Sequence, residues 1–144
     1  MSSSDVRTAI VAEARSWVGT PYHHHGRIKG AGVDCAQILL AIYADALGLV
    51  PAYDVGQYST QWHLHRSEEV YRDWLMHAGA HLVEEPQPGD IALFRFGRTY
   101  SHSGIHTGGG LVVHAYAGSI QAVVETALTE EPLASKPVEH WSIF

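Results

Sequence analysis

The chain has 144 residues, 46% hydrophobic and 17% charged, which suits a single folded domain over residues 1–144 and excludes a disordered or membrane-embedded chain. Its net charge of −6, with Lys plus Arg numbering 9, lacks the basic footprint of a nucleic-acid binder. The single cysteine, Cys35, rules out an internal disulfide and the common cysteine-rich zinc sites.

The opening Met1-Ser2-Ser3-Ser4-Asp5 has no basic region followed by an apolar run, so cytoplasmic synthesis without a signal peptide is expected, with no membrane insertion. Asp5 to Val18 reads as a helix whose Val6, Ile10, Ala14 and Trp17 share one face. Ser4 or Asp5 is its expected N-cap and Gly19 its stop. Tyr22 to Val33 reads as a loop. A second helix is expected from about Cys35 to Leu47, with Asp34 as N-cap, a buried stripe of Ile38, Leu39, Ile42 and Ala46, and Gly48 at its end. A third spans Glu68 to Ala78. Beyond Pro86 and Pro88 the pattern turns to strands: Ile91 to Phe96, Ser101 to Thr107, Leu111 to Tyr116, Ala122 to Ala127 and Val138 to Phe144. Gly108-Gly109-Gly110 supplies the turn between the second and third of these. Helices followed by an antiparallel meander make an α+β fold.

Cys35 falls at an expected helix start, after the glycine-rich approach Gly30-Ala31-Gly32. Unpaired N–H groups and the helix dipole there favour a thiolate and can hold an oxyanion. Read alone, a lone cysteine is equally a small buried hydrophobe. A thiol nucleophile also needs a base and a group that orients the base. His102 and His114 lie on strands joined by the glycine turn, where pairing brings them to one face as base and orienter. Asp34 is either a residue that tunes the site or, more simply, a helix cap. Asp90, after Pro88-Gly89, shapes a turn before its strand.

Histidine numbers 11, which raises the question of a metal. His23-His24-His25 and His63-Leu64-His65 are the dense spots, yet no HExxH or related ligand motif is present, so no metal and no cofactor is expected. Because His23 and His24 follow Tyr22 directly, they are read as the rim of a substrate cleft. Trp17, Trp62, Trp74 and Trp141 are read as core or cleft-wall residues.

Five blocks occur in one order: Trp17-Val18-Gly19-Thr20-Pro21-Tyr22, Asp34-Cys35, Pro88-Gly89-Asp90-Ile91-Ala92-Leu93-Phe94, Ser101-His102-Ser103-Gly104-Ile105 and Val113-His114-Ala115. Together they resemble the NlpC-type cysteine peptidases. Tyr22-His23-His24-His25-Gly26-Arg27-Ile28-Lys29-Gly30 resembles more particularly the branch found in phages and gene-transfer-agent clusters.

The resemblance implies a papain-like α+β core, with helices packed on a central antiparallel sheet of about five to six strands. It also implies an endopeptidase acting on peptidoglycan stem peptides at the bond between γ-D-glutamate and a diamino acid. Cys35 then matches the nucleophile, His102 the base and His114 the orienting residue, while Tyr22 and the Cys35 N–H match groups that position the oxyanion or substrate. Asp34, Ser101 and His106 join His23 and His24 as cleft residues. Ala36, Gln37 and His106 depart from the family's commoner serine, glycine and aromatic residue, which bears on substrate preference. The implied partners are the stem peptide and proteins of a phage-tail or gene-transfer-agent particle that would carry the chain to the cell wall. Two other readings use the same scaffold: a non-catalytic tail or peptidoglycan-binding module, and a thiol amidase or acyltransferase.

Overall fold

The computed structural model describes residues 2–51 and 70–144. His63, His65, Trp62 and the first two residues expected in the third helix lie outside the described residues.

Helix α1 spans Ser3–Ser16. Its N-cap is Ser2 rather than Ser4 or Asp5. The Ser2 hydroxyl accepts the Asp5 N–H at 3.1 Å, while the Asp5 carboxylate reaches back to the Ser2 N–H at 3.4 Å. This reciprocal box needs the acid three residues inside the helix, which corrects the expected start. Ile10 and Ala14 form the buried face. The stretch expected to be a loop contains a small hairpin, β1 (Arg27–Ile28) with β2 (Gly32–Val33). Two-residue strands are too short to leave a period in the sequence.

Helix α2 (Gln37–Leu39) widens into a π-helical segment over Leu40–Ala46. Ile38, Ala41, Ile42 and Tyr43 are buried along it, and Gly48 closes it with a φ of +60°. Cys35 therefore lies in the turn before the helix. Helix α3 spans Val70–His77 and buries Tyr71 and Leu75, one turn apart.

The remaining strands are β3 (His81–Val83), β4 (Ile91–Phe96), β5 (Thr99–Gly108), β6 (Leu111–Tyr116), β7 (Ala122–Ala127) and β8 (Val138–Ser142). Among the described residues they form one antiparallel sheet of six strands in the order β3-β8-β4-β5-β6-β7. The meander is thus interrupted: β8 inserts between β3 and β4, pairing Ile91 with Trp141 and Leu82 with Trp141 on its two sides. This placement buries Trp141.

Alternation along the strands serves two apolar layers. Ile91, Leu93, Ile105, Val113, Ala115 and Val123 join the helices in the main core. Ala92, Phe94 and Val112 face the other way and bury against Leu133. The turn before β4 ties the layers together. Asp90 folds back on the Gln87 N–H at 2.9 Å and pairs with Arg7 of α1 at 2.9 Å, and the Tyr43 hydroxyl donates to the Gly89 carbonyl at 2.7 Å.

Gly104 has no room for a side chain against β6. A Cβ there would come 2.3 Å from Val112 Cγ1, 2.8 Å from the Val113 carbonyl oxygen and 3.0 Å from His114 Cβ. These neighbours are backbone or stiff buried groups, so a methyl must part the strands. Gly104→Ala is expected to destabilise the fold by about 1–3 kcal/mol in urea unfolding, and a loss below about 0.5 kcal/mol would contradict this packing.

Candidate active site

The Cys35 turn is built on Asp34, which is 1% exposed. One carboxylate oxygen accepts the N–H groups of Ala36 at 3.1 Å and Gln37 at 2.8 Å, and the other accepts the His25 N–H at 2.8 Å. Asp34 is thus the helix cap, and its carboxylate is turned to the backbone rather than presented to a cleft. It also holds His25 in a left-handed conformation with φ of +65°.

On the sheet side, β5 carries a bulge. Phe94 pairs with His102 and Arg95 with Tyr100, leaving Ser101 as the extra residue. The Ser101 carbonyl accepts the Cys35 thiol at 3.7 Å. Ser103, on the other side of His102, donates its hydroxyl to the Cys35 carbonyl at 2.8 Å. The Tyr71 hydroxyl donates to the same carbonyl at 3.0 Å. Cys35 is therefore stitched to both sequence neighbours of His102.

His102 and His114 meet as the turn pairing suggests, but diagonally. The register that sets Ile105 opposite Val113 puts His114 beside Gly104, two residues along from His102. The rings stand edge to face, 5.0 Å between centroids, with His102 Nε2 and His114 Nδ1 2.8 Å apart. The diagonal continues onto β7. Val112 pairs with Thr126, and the Thr126 hydroxyl lies 2.9 Å from His114 Nε2. Phe94, Phe96 and Tyr116 surround the His102 ring at centroid distances of 6.0, 5.0 and 6.1 Å.

The other residues singled out in the sequence divide. Tyr22 packs at the edge of the main core, pairs with Val33, and has its hydroxyl pushed to higher pKa by burial and by the neighbouring Cys35 and Asp34. His24 lies on the Asp34 side, its Nδ1 3.9 Å from an Asp34 carboxylate oxygen, whereas exposed His23 turns its Nδ1 to the His24 carbonyl at 3.0 Å. His106 is 4% exposed and pairs with His140 at 3.0 Å, so it is an interior residue of the sheet rather than a cleft residue. Trp17 and Trp141 are core residues. Among the described residues no group of three or more His, Cys, Asp or Glu side chains could hold a metal ion. Nor is any described helix long and apolar enough to cross a membrane.

Sequence reasoning missed Tyr71, Ser103 and Thr126. Thr126 was reachable by extending the β6–β7 register one diagonal step. Tyr71 had no local signal, because only the packing of α3 on the sheet brings it to Cys35.

Burial pushes the Cys35 thiol up to about 12, with the Asp34 carboxylate adding to the rise and hydrogen bonds from Ser103 and Tyr71 opposing it. The expectation of a thiolate favoured by the helix start is corrected. Asp34 itself occupies the N–H groups that would have stabilised the sulfur, and its charge repels a second anion. Burial, and then the neighbouring His114, hold His102 well below the ordinary histidine value, and burial lowers His114 to about 4. The resting site therefore holds a neutral thiol beside a neutral imidazole pair.

The profile of the NlpC/P60 family matches residues 19–141. A probable endopeptidase of Mycobacterium tuberculosis is 31% identical over 109 residues, covering 76% of this chain and 23% of that protein. The gamma-DL-glutamyl hydrolase of Bacillus subtilis is 29% identical over 111 residues, covering 74% of this chain and 22% of that protein. The chain thus spans less than a quarter of the length of these curated relatives. The peptidoglycan hydrolase RipB from Mycobacterium tuberculosis superposes with a TM-score of 0.64 at 18% identity, over 98% of this chain and 66% of that one, a likeness of fold.

Two measurements check the electrostatics. The rate of Cys35 alkylation by iodoacetamide is expected to keep rising with pH beyond the ordinary cysteine value of about 8.5. A plateau already reached at pH 7 would contradict a neutral thiol. His106 and His114, both held near 4 by burial, bind protons more readily when unfolded. The nearby Asp90 carboxylate opposes the shift at His106, and His140 adds to it. Their stabilising contribution is fully present above the unfolded value of about 6.5 and is lost as pH falls from there toward 4. Between pH 7 and pH 5 the urea-unfolding free energy should drop by about 2 kcal/mol for each. His106→Gln should flatten that slope, and an unchanged slope would contradict the assignment.

Proposed function

The chain belongs to the NlpC/P60 family, and from that premise we propose a cysteine endopeptidase that hydrolyses peptidoglycan stem peptides at the γ-D-glutamyl–diamino acid bond. The observation that carries this reading is the hydrogen-bonded line His102–His114–Thr126, with the Cys35 turn tied to both neighbours of His102.

The line supports an ordered set of tautomers, assigned from the hydrogen-bond network. His102 donates from Nε2 to His114 Nδ1, and His114 donates from Nε2 to the Thr126 hydroxyl. The lone pair of His102 Nδ1 is then left to take a proton. Cys35 is the nucleophile, His102 the base and His114 the orienting residue. As the thiol proton passes to His102, the sulfur attacks the amide carbon and the carbonyl electron pair moves onto oxygen. The Cys35 N–H and the Tyr22 hydroxyl receive that oxyanion, and the raised pKa of Tyr22 keeps its hydroxyl a donor. Collapse breaks the C–N bond, and the leaving amine takes the proton from His102. Water, giving a proton to His102, then cleaves the thioester, releasing the γ-glutamyl carboxyl and restoring the thiol.

We assign the chain further to the phage and gene-transfer-agent branch, carried to the cell wall in a phage-like particle, on the strength of the stretch from Tyr22 to Gly30. Absence of the protein from purified particles would remove that assignment.

Incubation with disaccharide-tetrapeptide muropeptides is expected to release diamino acid–D-alanine, identified by mass spectrometry. Cys35→Ala should abolish release, and His102→Ala should slow it by roughly 10²–10⁴-fold. Release of a different fragment would indicate an amidase, and no release by the unaltered protein would overturn the peptidase reading.

A further inference from the structure

The peptide unit linking Cys35 to Ala36 is held at both of its polar ends. Its N–H, on Ala36, donates to Asp34 at 3.1 Å. Its carbonyl oxygen accepts two hydroxyls from opposite walls, Ser103 of β5 at 2.8 Å and Tyr71 of α3 at 3.0 Å. The two hydroxyls also hydrogen-bond each other. Either hydroxyl can therefore satisfy the carbonyl when the other turns to its partner. Tyr71 is 1% and Ser103 0% exposed, so water does not readily replace a lost hydroxyl there. The first turn of α3 is itself fixed. Arg72 forks onto Glu139 of β8, with Nε at 2.9 Å from one carboxylate oxygen, and its guanidinium lies 4.5 Å from the centroid of the Tyr100 ring.

The preceding peptide is held as well, its Asp34 carbonyl accepting the Ile38 N–H at 3.1 Å, and two fixed planes on either side of the Cys35 Cα set the direction of its Cβ. The thiol is then left with rotation about the Cα–Cβ bond alone. We propose that Tyr71 and Ser103 form a hydroxyl clamp that aims the Cys35 thiol at His102, which makes both of them positioning residues for the peptidase reaction. The proposal rests on the peptidase reading for its kinetics and on thiol chemistry alone for its second readout.

Tyr71→Phe, Ser103→Ala and the double variant should separate the effects. Each single variant keeps one donor, so kcat on muropeptides should fall only a few-fold. The double variant should lose about 100-fold in kcat, more than the product of the singles, with KM within about two-fold. Iodoacetamide alkylation at pH 8 gives the second readout. His102→Ala should slow Cys35 in the otherwise unaltered protein, and that ratio should fall to about one in the clampless background. A double variant with unaltered kcat and an unaltered alkylation ratio overturns the clamp, as does a loss confined to KM. If near-ultraviolet circular dichroism shows the double variant unfolded, Tyr71→Phe decides alone. It removes one oxygen, and unaltered kcat and alkylation ratio in it overturn the proposal. If the unaltered protein cleaves no muropeptide, the peptidase reading fails, and the alkylation ratio still decides the clamp.

Discussion

The arrangement around Cys35 depends on one buried carboxylate. Asp34 accepts three backbone N–H groups, two from the start of α2 and one from His25 in the loop before the β1–β2 hairpin. A carboxylate at 1% exposure needs such a set of donors to replace the water it has lost. In return it joins the loop to the helix start, adding to the backbone bonds that Pro21 and His23 make with Val33. The loop is forced into a left-handed turn at His25, and the helix can begin only at the residues whose N–H groups Asp34 holds. The position of Cys35, between the carboxylate and the first helical residue, follows from that constraint.

Burial keeps the sulfur a neutral thiol, and the same carboxylate adds to that effect. Helix N-termini are usually read as sites that lower a thiol pKa, because their N–H groups are unpaired. Here those groups are already taken by an anion, and a second anion next to it is disfavoured. Across the site, burial among Phe94, Phe96 and Tyr116 disfavours the His102 imidazolium, and the neighbouring His114 adds to this whenever it carries charge. Both partners therefore resist charge. Under the proposed mechanism the transfer of the proton to His102 accompanies attack, as the growing charge passes from sulfur to the carbonyl oxygen and its donors. A neutral thiol is also less open to oxidation and to chance electrophiles.

Much of this was readable in the sequence where a local rule applied. The strands β4, β6 and β7 stand where alternation and turn residues put them, and Asp34 and Asp90 act as cap and turn residue. The meeting of His102 and His114 follows from a hairpin closed by glycine, though the diagonal offset needed the β5–β6 register and its irregularity between His106 and Gly108. What was not readable depended on non-local packing. The insertion of β8 between β3 and β4 leaves no periodic trace, and β3 is three residues long with an exposed face. His106, adjacent to a functional stretch in sequence, turned out to be an interior residue because its partner, His140, comes from that same inserted strand. Tyr71 reaches Cys35 only through the docking of α3.

The two halves of the site are held by different means, and the difference leaves one soft coordinate between them. The sheet half is fixed by side-chain hydrogen bonds, ring to ring and then ring to hydroxyl, that step diagonally over β5, β6 and β7, with Gly104 allowing the close approach. The helix half is fixed through its backbone, by Asp34 at one end of a peptide unit and by Tyr71 and Ser103 at the other. The sulfur itself makes a bond of another order, a thiol donating to the Ser101 carbonyl at 3.7 Å. Thiols are weak donors, and such a contact is given up at little cost. The surrounding frame is held by nitrogen and oxygen donors, several of them charge-assisted or buried, and does not yield as easily. A side chain that must exchange a resting partner for a reactive one is best placed on the weakest contact of an otherwise rigid frame. Preorganisation here lies in the peptide plane and the imidazole line, and the motion left to chemistry is a rotation of one side chain.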